Sequence, residues 1–170
     1  LSVVVPVFNE EGSLRDLTAE LEPVVRSITS EYELVFVNDG STDGSARVLD
    51  DLARENQRII VYRLDRNHGL SSALHAGFLR ARGTLIATMD ADLQNDPADL
   101  TRLVQAVHDG ADMACGWRAN RKDPWVKRAS SKVANWWRNA RTGSEIHDVT
   151  CPLKVFKREV REVFLRHPLP

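Results

Sequence analysis

The chain has 170 residues, 42% hydrophobic and 28% charged, with a formal net charge of −1. That is enough for one soluble domain with a proper core. The longest apolar runs, such as Leu1–Phe8, are strand-sized, which excludes a bilayer-spanning helix. Cys115 and Cys151 each stand alone among apolar neighbours, which excludes a zinc site or disulfide framework and makes a reducing cytosol the default.

The small net charge hides an asymmetry. Residues 1–117 carry 10 Lys/Arg against 19 Asp/Glu, a balance of −9, whereas residues 118–141 carry 8 Lys/Arg against Asp123 alone, a balance of +7. A basic block beside an acidic body asks for an anionic partner. The acidity of the remainder argues against a groove that tracks nucleic acid. There is no basic leader or signal-peptide pattern. The chain starts at Leu1 inside a strand and ends at His167-Pro-Leu-Pro, as expected of a piece of a longer protein.

Leu1–Phe8 is β-branched and apolar, a buried strand. Asn9 is positioned to cap a helix with Glu10 and Glu11 in its first turn, and Leu14, Leu17, Leu21, Val24/Val25 and Ile28 recur at helical spacing. Tyr32–Asn38 is a second strand, followed by Asp39-Gly40-Ser41-Thr42-Asp43-Gly44 and a helix to about Glu55. Arg58–Tyr62 is a third strand. Leu70, Leu74, Phe78 and Ala81 mark a third helix, closed by Gly83. Thr84–Met89 is a fourth strand. Asp96-Pro97-Ala98-Asp99 reads as N-cap, Pro at the first helical position and an acid in the first turn. Leu100, Leu103, Val104 and Val107 carry that helix to Gly110, and Ala111–Trp117 is a fifth strand. Strands alternating with helices predict βαβ units and a mostly parallel sheet, with ligands beyond the carboxyl ends of the strands. Three of those ends carry chemistry: Pro6–Glu10, Asn38–Asp43 and Met89–Asp96.

Asp90 and Asp92 are two apart in an extended segment, so both carboxylates point to one side. Hard oxygens so placed suit Mg²⁺ or Mn²⁺ carrying a diphosphate. A calcium loop fails, because Asn95 stands where Gly is needed and Thr101 where a bidentate Glu is needed. An aspartyl-phosphate phosphatase would be expected to carry its nucleophile on the first strand. A purely capping role is already filled by Asp96. Asp39 can accept hydrogen bonds from the N–H edge of a nucleobase, or can simply build an Asx-type turn. No G-x-G-x-x-G or Walker loop is present.

Residues 124–141 read as an amphipathic helix. Its Trp125, Trp136 and Trp137 fall on the core-facing side, and Arg118, Lys127/Arg128 and Ser131 are placed for phosphate capture. A membrane surface is a natural setting for such a helix. An ordinary solvated basic helix is the plain alternative. The five histidines show neither ligand spacing nor a triad and read as surface or satisfied core residues, with His68 beside Gly69 near the expected pocket, and the two cysteines read as small buried hydrophobes.

Taken in order, Val5-Pro6-Val7-Phe8-Asn9-Glu10-Glu11, Val37-Asn38-Asp39-Gly40-Ser41-Thr42-Asp43-Gly44, Arg66-Asn67-His68-Gly69 and Met89-Asp90-Ala91-Asp92-Leu93-Gln94 resemble glycosyltransferase family 2 over nearly the whole chain. Gly116-Trp117-Arg118, the Lys127–Ser131 stretch and Asp148-Val149-Thr150-Cys151-Pro152-Leu153-Lys154 are similar to its dolichol-phosphate-mannose-synthase-like branch. The resemblance implies an α/β GT-A domain over residues 1–170, a Rossmann-like three-layer α/β/α sandwich. Residues 1–117 would form the nucleotide-sugar and metal half, and 118–170 the acceptor half. It implies inverting transfer of a hexose from a nucleotide-diphosphate sugar (GDP-mannose or a UDP-sugar) to a polyprenyl phosphate at the cytoplasmic face of a membrane.

On this chain, the resemblance gives Pro6, Phe8, Glu10 and Asp39 to the nucleoside, Asp90, Asp92 and Gln94 to Mg²⁺ or Mn²⁺ and the diphosphate, and Arg118, Lys127 or Arg128, and Ser131 to the acceptor phosphate. Asp92 and Arg118 would be the catalytic pair. Phe8 stands where Tyr is frequent, Asn38 where an Asp often stands, and Thr150 where Gly is usual. Relatives that use hydroxyl acceptors carry a Glu-Asp pair and a Gln/Arg-x-x-Arg-Trp motif, and neither occurs by residue 170.

Overall fold

In the computed structural model, residues 1–116 and 151–166 are described. The elements are β1 (Ser2–Val7), α1 (Leu14–Ile28), β2 (Glu33–Asn38), α2 (Ser45–Glu55), β3 (Ile59–Arg63), α3 (Leu70–Arg80), β4 (Leu85–Thr88), α4 (Asp99–His108), β5 (Met113–Cys115), β6 (Lys154–Lys157) and α5 (Arg158–Arg166). They build a six-stranded sheet in the order β3-β2-β1-β4-β6-β5. The β1–β2, β2–β3 and β1–β4 pairs are parallel, and β6 pairs antiparallel with both β4 and β5.

The period-two alternation of the strands divides the core between two faces. Val3, Val5 and Val7 of β1 and Leu34 and Phe36 of β2 pack with Leu14, Leu17 and Leu21 of α1, Leu49 of α2 and Leu100 of α4. Val4, Val35 and Val37 face the other way, toward Ala73 and Phe78 of α3, with Phe164 of α5 packed alongside. Helices thus cover both faces, which is why β1 and β2 read as continuous apolar runs. Phe156 of β6 stands edge-on to both Phe78 and Phe164, with ring centroids 5.5 and 5.6 Å away, and fastens α5 to the sheet.

Four local expectations are corrected. Asn9 does not cap α1: its φ is +58° and the helix begins behind Ser13. Gly83 does not close α3, which stops at Arg80 with Ala81 extended. Gly83 is instead required by crowding, since a Cβ there would lie 2.7 Å from the Ser2 backbone nitrogen. Asp96 caps only a preliminary turn, its Oδ1 accepting the Ala98 N–H at 2.9 Å, and α4 proper starts at Asp99. Finally, β5 is only Met113–Cys115, and it joins the sheet through β6, which inserts between β4 and β5.

The order places β1 between β2 and β4, so the chain reverses its direction of winding at β1/β4. Ligand crevices of open α/β sheets form at such a switch point, beyond the carboxyl ends of the strands. Pro6 helps to open it. Val4 faces β4, its carbonyl accepting the Met89 N–H at 3.2 Å, and Val4↔Thr88 is the last paired register. Pro6 faces the same way two residues later, where its missing N–H breaks no ladder bond.

Candidate active site

The switch-point crevice is a cavity of about 310 Å³ lined by residues from all three chemically marked strand ends. Pro6, Phe8 and Glu10 come from the end of β1, Asp39 from the end of β2, and Asp90 and Asp92 from the segment after β4. Phe8 is 43% exposed, Asp39 is 3% exposed, and Asp90 and Asp92 are half-buried.

The β1 and β2 loops are stitched to each other. Ser41 Oγ accepts the Asn9 N–H at 3.0 Å, Ser45 Oγ accepts the Glu10 N–H at 2.8 Å, and Asp43 Oδ2 accepts the Glu11 N–H at 3.1 Å. In return Asn9 Oδ1 accepts the Thr42 N–H at 2.8 Å and Glu11 Oε2 accepts the Gly44 N–H at 3.0 Å. This exchange explains the positive φ of Asn9, which gives up helix capping to face the second loop. Desolvation alone would raise the Asp43 carboxyl, but hydrogen bonds from Ser45 and from the Glu11 backbone outweigh it and hold it below its usual value.

Asp39 is committed to a third loop. Its Oδ1 accepts the His68 N–H and its Oδ2 the Gly69 N–H, each at 2.8 Å. Each oxygen keeps a further lone pair for a ligand donor. His68 Nε2 lies 2.6 Å from Asp65 Oδ1, a hydrogen bond that lowers the Asp65 carboxyl. Asn67, Gly69, Leu70 and Ala73 also line the cavity. The sequence marked Asn67 and Gly69 only as part of a motif. It left Leu70 as a helix-face residue, with no signal that α3 begins at the cavity wall.

After β4, Ala91 is buried and the flanking Asp90 and Asp92 both reach the cavity, as alternation in an extended segment requires. Leu93 then takes φ of +60° and turns the backbone. Gln94 is exposed and donates its N–H to Asp92 Oδ1 at 3.1 Å, and its side chain is not part of the cavity wall. Among the described residues, no group of three or more His, Cys, Asp or Glu gathers as a metal cage. Two half-buried carboxylates fit Mg²⁺ or Mn²⁺ nevertheless, because such ions in nucleotide sites take one or two protein carboxylates and fill the remaining positions with phosphate oxygens and water. Arg118, Lys127, Arg128 and Ser131, with the basic helix expected around them, lie outside the described residues.

The protein is a three-layer α/β/α sandwich with paired carboxylates at a β1/β4 switch point, and solved structures confirm the fold as GT-A. Mycobacterium tuberculosis glucosyl-3-phosphoglycerate synthase, in complex with Mn²⁺, UDP-glucose and phosphoglyceric acid, superposes with a TM-score of 0.71 at 20% identity, covering 94% of this chain and 57% of that one. The mannosyltransferase PcManGT of Pyrobaculum calidifontis, in complex with GDP-Man and Mn²⁺, gives a TM-score of 0.67 at 20% identity, covering 99% and 47%.

The chain belongs to glycosyltransferase family 2: the Glycosyl transferase family 2 pattern matches residues 2–164. Curated relatives include the undecaprenyl-phosphate 4-deoxy-4-formamido-L-arabinose transferases of Proteus mirabilis, 40% identical over 98% of this chain, and of Serratia proteamaculans, 38% identical over 97%. The chain spans about half the length of these relatives, 51% of each.

Proposed function

We propose that the chain is the catalytic domain of an inverting glycosyltransferase that moves a sugar from a nucleotide diphosphate to a polyprenyl phosphate, undecaprenyl phosphate in the first instance. One observation carries this reading: Pro6, Phe8, Glu10, Asp39, Asp90 and Asp92 converge on one cleft at the switch point. Relatives near 40% identity that are named as undecaprenyl-phosphate transferases support the acceptor. Phe8 offers an exposed ring to the base, Asp39 holds the cavity wall and accepts from the base edge, and Glu10 serves the ribose side. Asp90 and Asp92 hold a divalent cation against the diphosphate, with Gln94 beside them. A cation bound there supplies positive charge to the leaving diphosphate.

Arg118, Lys127 or Arg128, and Ser131 orient the acceptor phosphate. An ionised phosphate needs no general base, so its oxygen attacks the anomeric carbon directly from the face opposite the leaving group, which inverts the centre. A hydroxyl acceptor would need a carboxylate base at the attacking oxygen. The basic block at 118–141 favours work at the cytoplasmic face of a membrane carrying the lipid. Among the described residues, no helix is long and apolar enough to cross a bilayer.

The sugar is a hexose, as in the mannose branch, or a 4-formamido pentose of the kind in the relatives' names. A donor screen with UDP- and GDP-sugars, Mn²⁺ or Mg²⁺ and a short polyprenyl phosphate, read as released nucleoside diphosphate, tests the proposal. Release that requires the polyprenyl phosphate is expected. Donor binding with no release, or release driven equally by sugar hydroxyl acceptors, overturns it.

A further inference from the structure

The segment Cys151-Pro152-Leu153 touches both ends of the Asp90/Asp92 loop. At the entrance, Thr88, the last residue of β4 and 5% exposed, donates its Oγ1 hydrogen to the Pro152 carbonyl at 2.6 Å. At the exit, the Cys151 thiol, 1% exposed, lies 3.8 Å from Oδ1 of Asn95, itself only 9% exposed. The same segment is anchored from the far side, since the Gly116 N–H donates to the Leu153 carbonyl at 2.8 Å and Lys154 Nζ donates to the Cys151 carbonyl. Gly116 lies so close that a Cβ on it would stand 3.0 Å from Cys151 Sγ. Thr88 and Asn95 bracket residues 89–94, which include the half-buried Asp90 and Asp92 and the left-handed Leu93. None of these three side chains lines the cavity. Thr88 and Asn95 are buried and polar, where an aliphatic residue would serve packing alone, and Cys151 belongs to the apolar core while its thiol meets Asn95.

We infer that Thr88, Asn95 and Cys151 are positioning residues: they clamp the two ends of the carboxylate loop to one strap and thereby set the spacing at which Asp90 and Asp92 meet a divalent cation. The inference rests on the cation-and-diphosphate reading of the cleft. Groups that orient metal ligands from behind typically change metal affinity by about 10-fold or more when removed.

The test is Mn²⁺ binding by electron paramagnetic resonance, with UDP and separately with GDP present, on the wild-type chain and on Thr88→Val, Thr88→Ser, Cys151→Ala and Cys151→Ser, with thermal midpoints alongside. Val104→Ala, a cavity-forming change in α4 that removes none of the clamp's polar groups, controls for general destabilisation. Thr88→Val and Cys151→Ala are expected to weaken Mn²⁺ binding by about 10-fold, while Thr88→Ser, which keeps the hydroxyl, and Cys151→Ser, which replaces the thiol by another donor, stay within about 2-fold of wild type and Val104→Ala leaves Mn²⁺ binding unchanged despite a lower midpoint. Unchanged Mn²⁺ binding in Thr88→Val and Cys151→Ala overturns the clamp alone, as does a loss shared equally by Val104→Ala. No Mn²⁺ binding by the wild-type chain with either nucleotide overturns the cation reading together with the clamp.

Discussion

The backbone N–H of Gly69 points at Oδ2 of Asp39 from 2.8 Å, across a gap of 30 residues in sequence. With the matching bond from His68 to Oδ1, a buried carboxylate at the end of β2 holds the loop that begins α3 against the cleft. Asp39 therefore holds the fold at the cleft, and in the proposed function it also meets the nucleotide. Replacing it with Asn turns one acceptor into a donor that faces an N–H group. Loss of one such charge-assisted bond costs about 1.5–3 kcal/mol. The expected outcome of Asp39→Asn is a nucleotide affinity reduced by roughly 10-fold or more, with a lowered thermal midpoint. Titration calorimetry with UDP and GDP checks it, and an unaltered affinity for both would contradict a cavity wall held by Asp39.

Gly40 gives a second prediction. Its φ is +67°, and a Cβ there would lie 2.5 Å from the Arg66 Cα and 2.6 Å from the Asn67 backbone nitrogen. Both obstacles are main chain, so no rotamer change relieves them. The left-handed conformation alone costs a side chain about 1–2 kcal/mol, and the displaced loop adds to that. Gly40→Ala should lower the thermal midpoint by roughly 4 °C or more for a domain of this size. It should weaken nucleotide binding as well, because the loop it displaces carries Asn67 and Gly69 of the cavity wall. A Gly40→Ala protein that melts with wild type would show that the β2 and 66–69 loops separate freely.

The elements that position the cleft were legible for one physical reason: β1 to β4 and α1 to α4 bury whole faces, and burial writes a period into the sequence. The cleft residues at the ends of β1, β2 and β4 were legible because polar residues there follow apolar strands at their carboxyl ends, the side on which open α/β sheets form ligand crevices. What escaped was set by contacts distant in sequence. β6 is four residues long with Lys154 and Lys157 at its ends, and its antiparallel pairing with β4 and β5 has no local signature. α5 follows it directly at Arg158, without the separating loop that usually announces a helix. Asn9 fits a helix cap by type, yet its side chain is claimed by Thr42 in another loop. Leu70 lines the cavity because it opens α3 directly behind the His68-Gly69 backbone that Asp39 holds, a contact 30 residues away in sequence.

Acid should act on the joint between the first two loops. Asp43 accepts the Ser45 and Glu11 backbone N–H groups, and its folded pKa is held below the usual 3.8 by those bonds, despite opposing desolvation. A depressed carboxyl contributes stability that is present above the unfolded value and is lost as pH falls through the folded one. The affected window therefore lies below about pH 4. Asp43→Asn should flatten the acid limb of a midpoint-versus-pH curve in that window and leave the slope near neutrality unchanged. An acid limb identical to wild type would remove Asp43 from the account.

Asp92 is the sharpest point of the proposed chemistry. It is half-buried, reaches the cavity and makes a hydrogen bond with the Gln94 N–H, so its loss removes a ligand while breaking only one local turn contact. Asp92→Ala should keep the fold, with a circular dichroism spectrum and midpoint close to wild type, and should lower transfer by about 100-fold or more, the scale of losing a preorganised charge contact at a leaving group. Appreciable metal-dependent release of nucleoside diphosphate by Asp92→Ala would place the cation elsewhere.

Substituting Arg118 tests the acceptor side of the proposed function apart from the donor side. It opens the basic block of residues 118–141, two positions after Gly116, whose N–H is tied to the Leu153 carbonyl beside the carboxylate loop. A guanidinium there would grip a phosphate through paired N–H donors, a geometry that Lys does not reproduce. Arg118→Ala should raise the KM for polyprenyl phosphate by roughly 10-fold or more, the cost of one such contact, while nucleotide affinity measured without acceptor stays near wild type. Arg118→Lys should recover only part of the loss. If the damage fell on nucleotide affinity and spared the acceptor KM, Arg118 would belong to the diphosphate, and the acceptor phosphate would have to be held by Lys127, Arg128 and Ser131 instead.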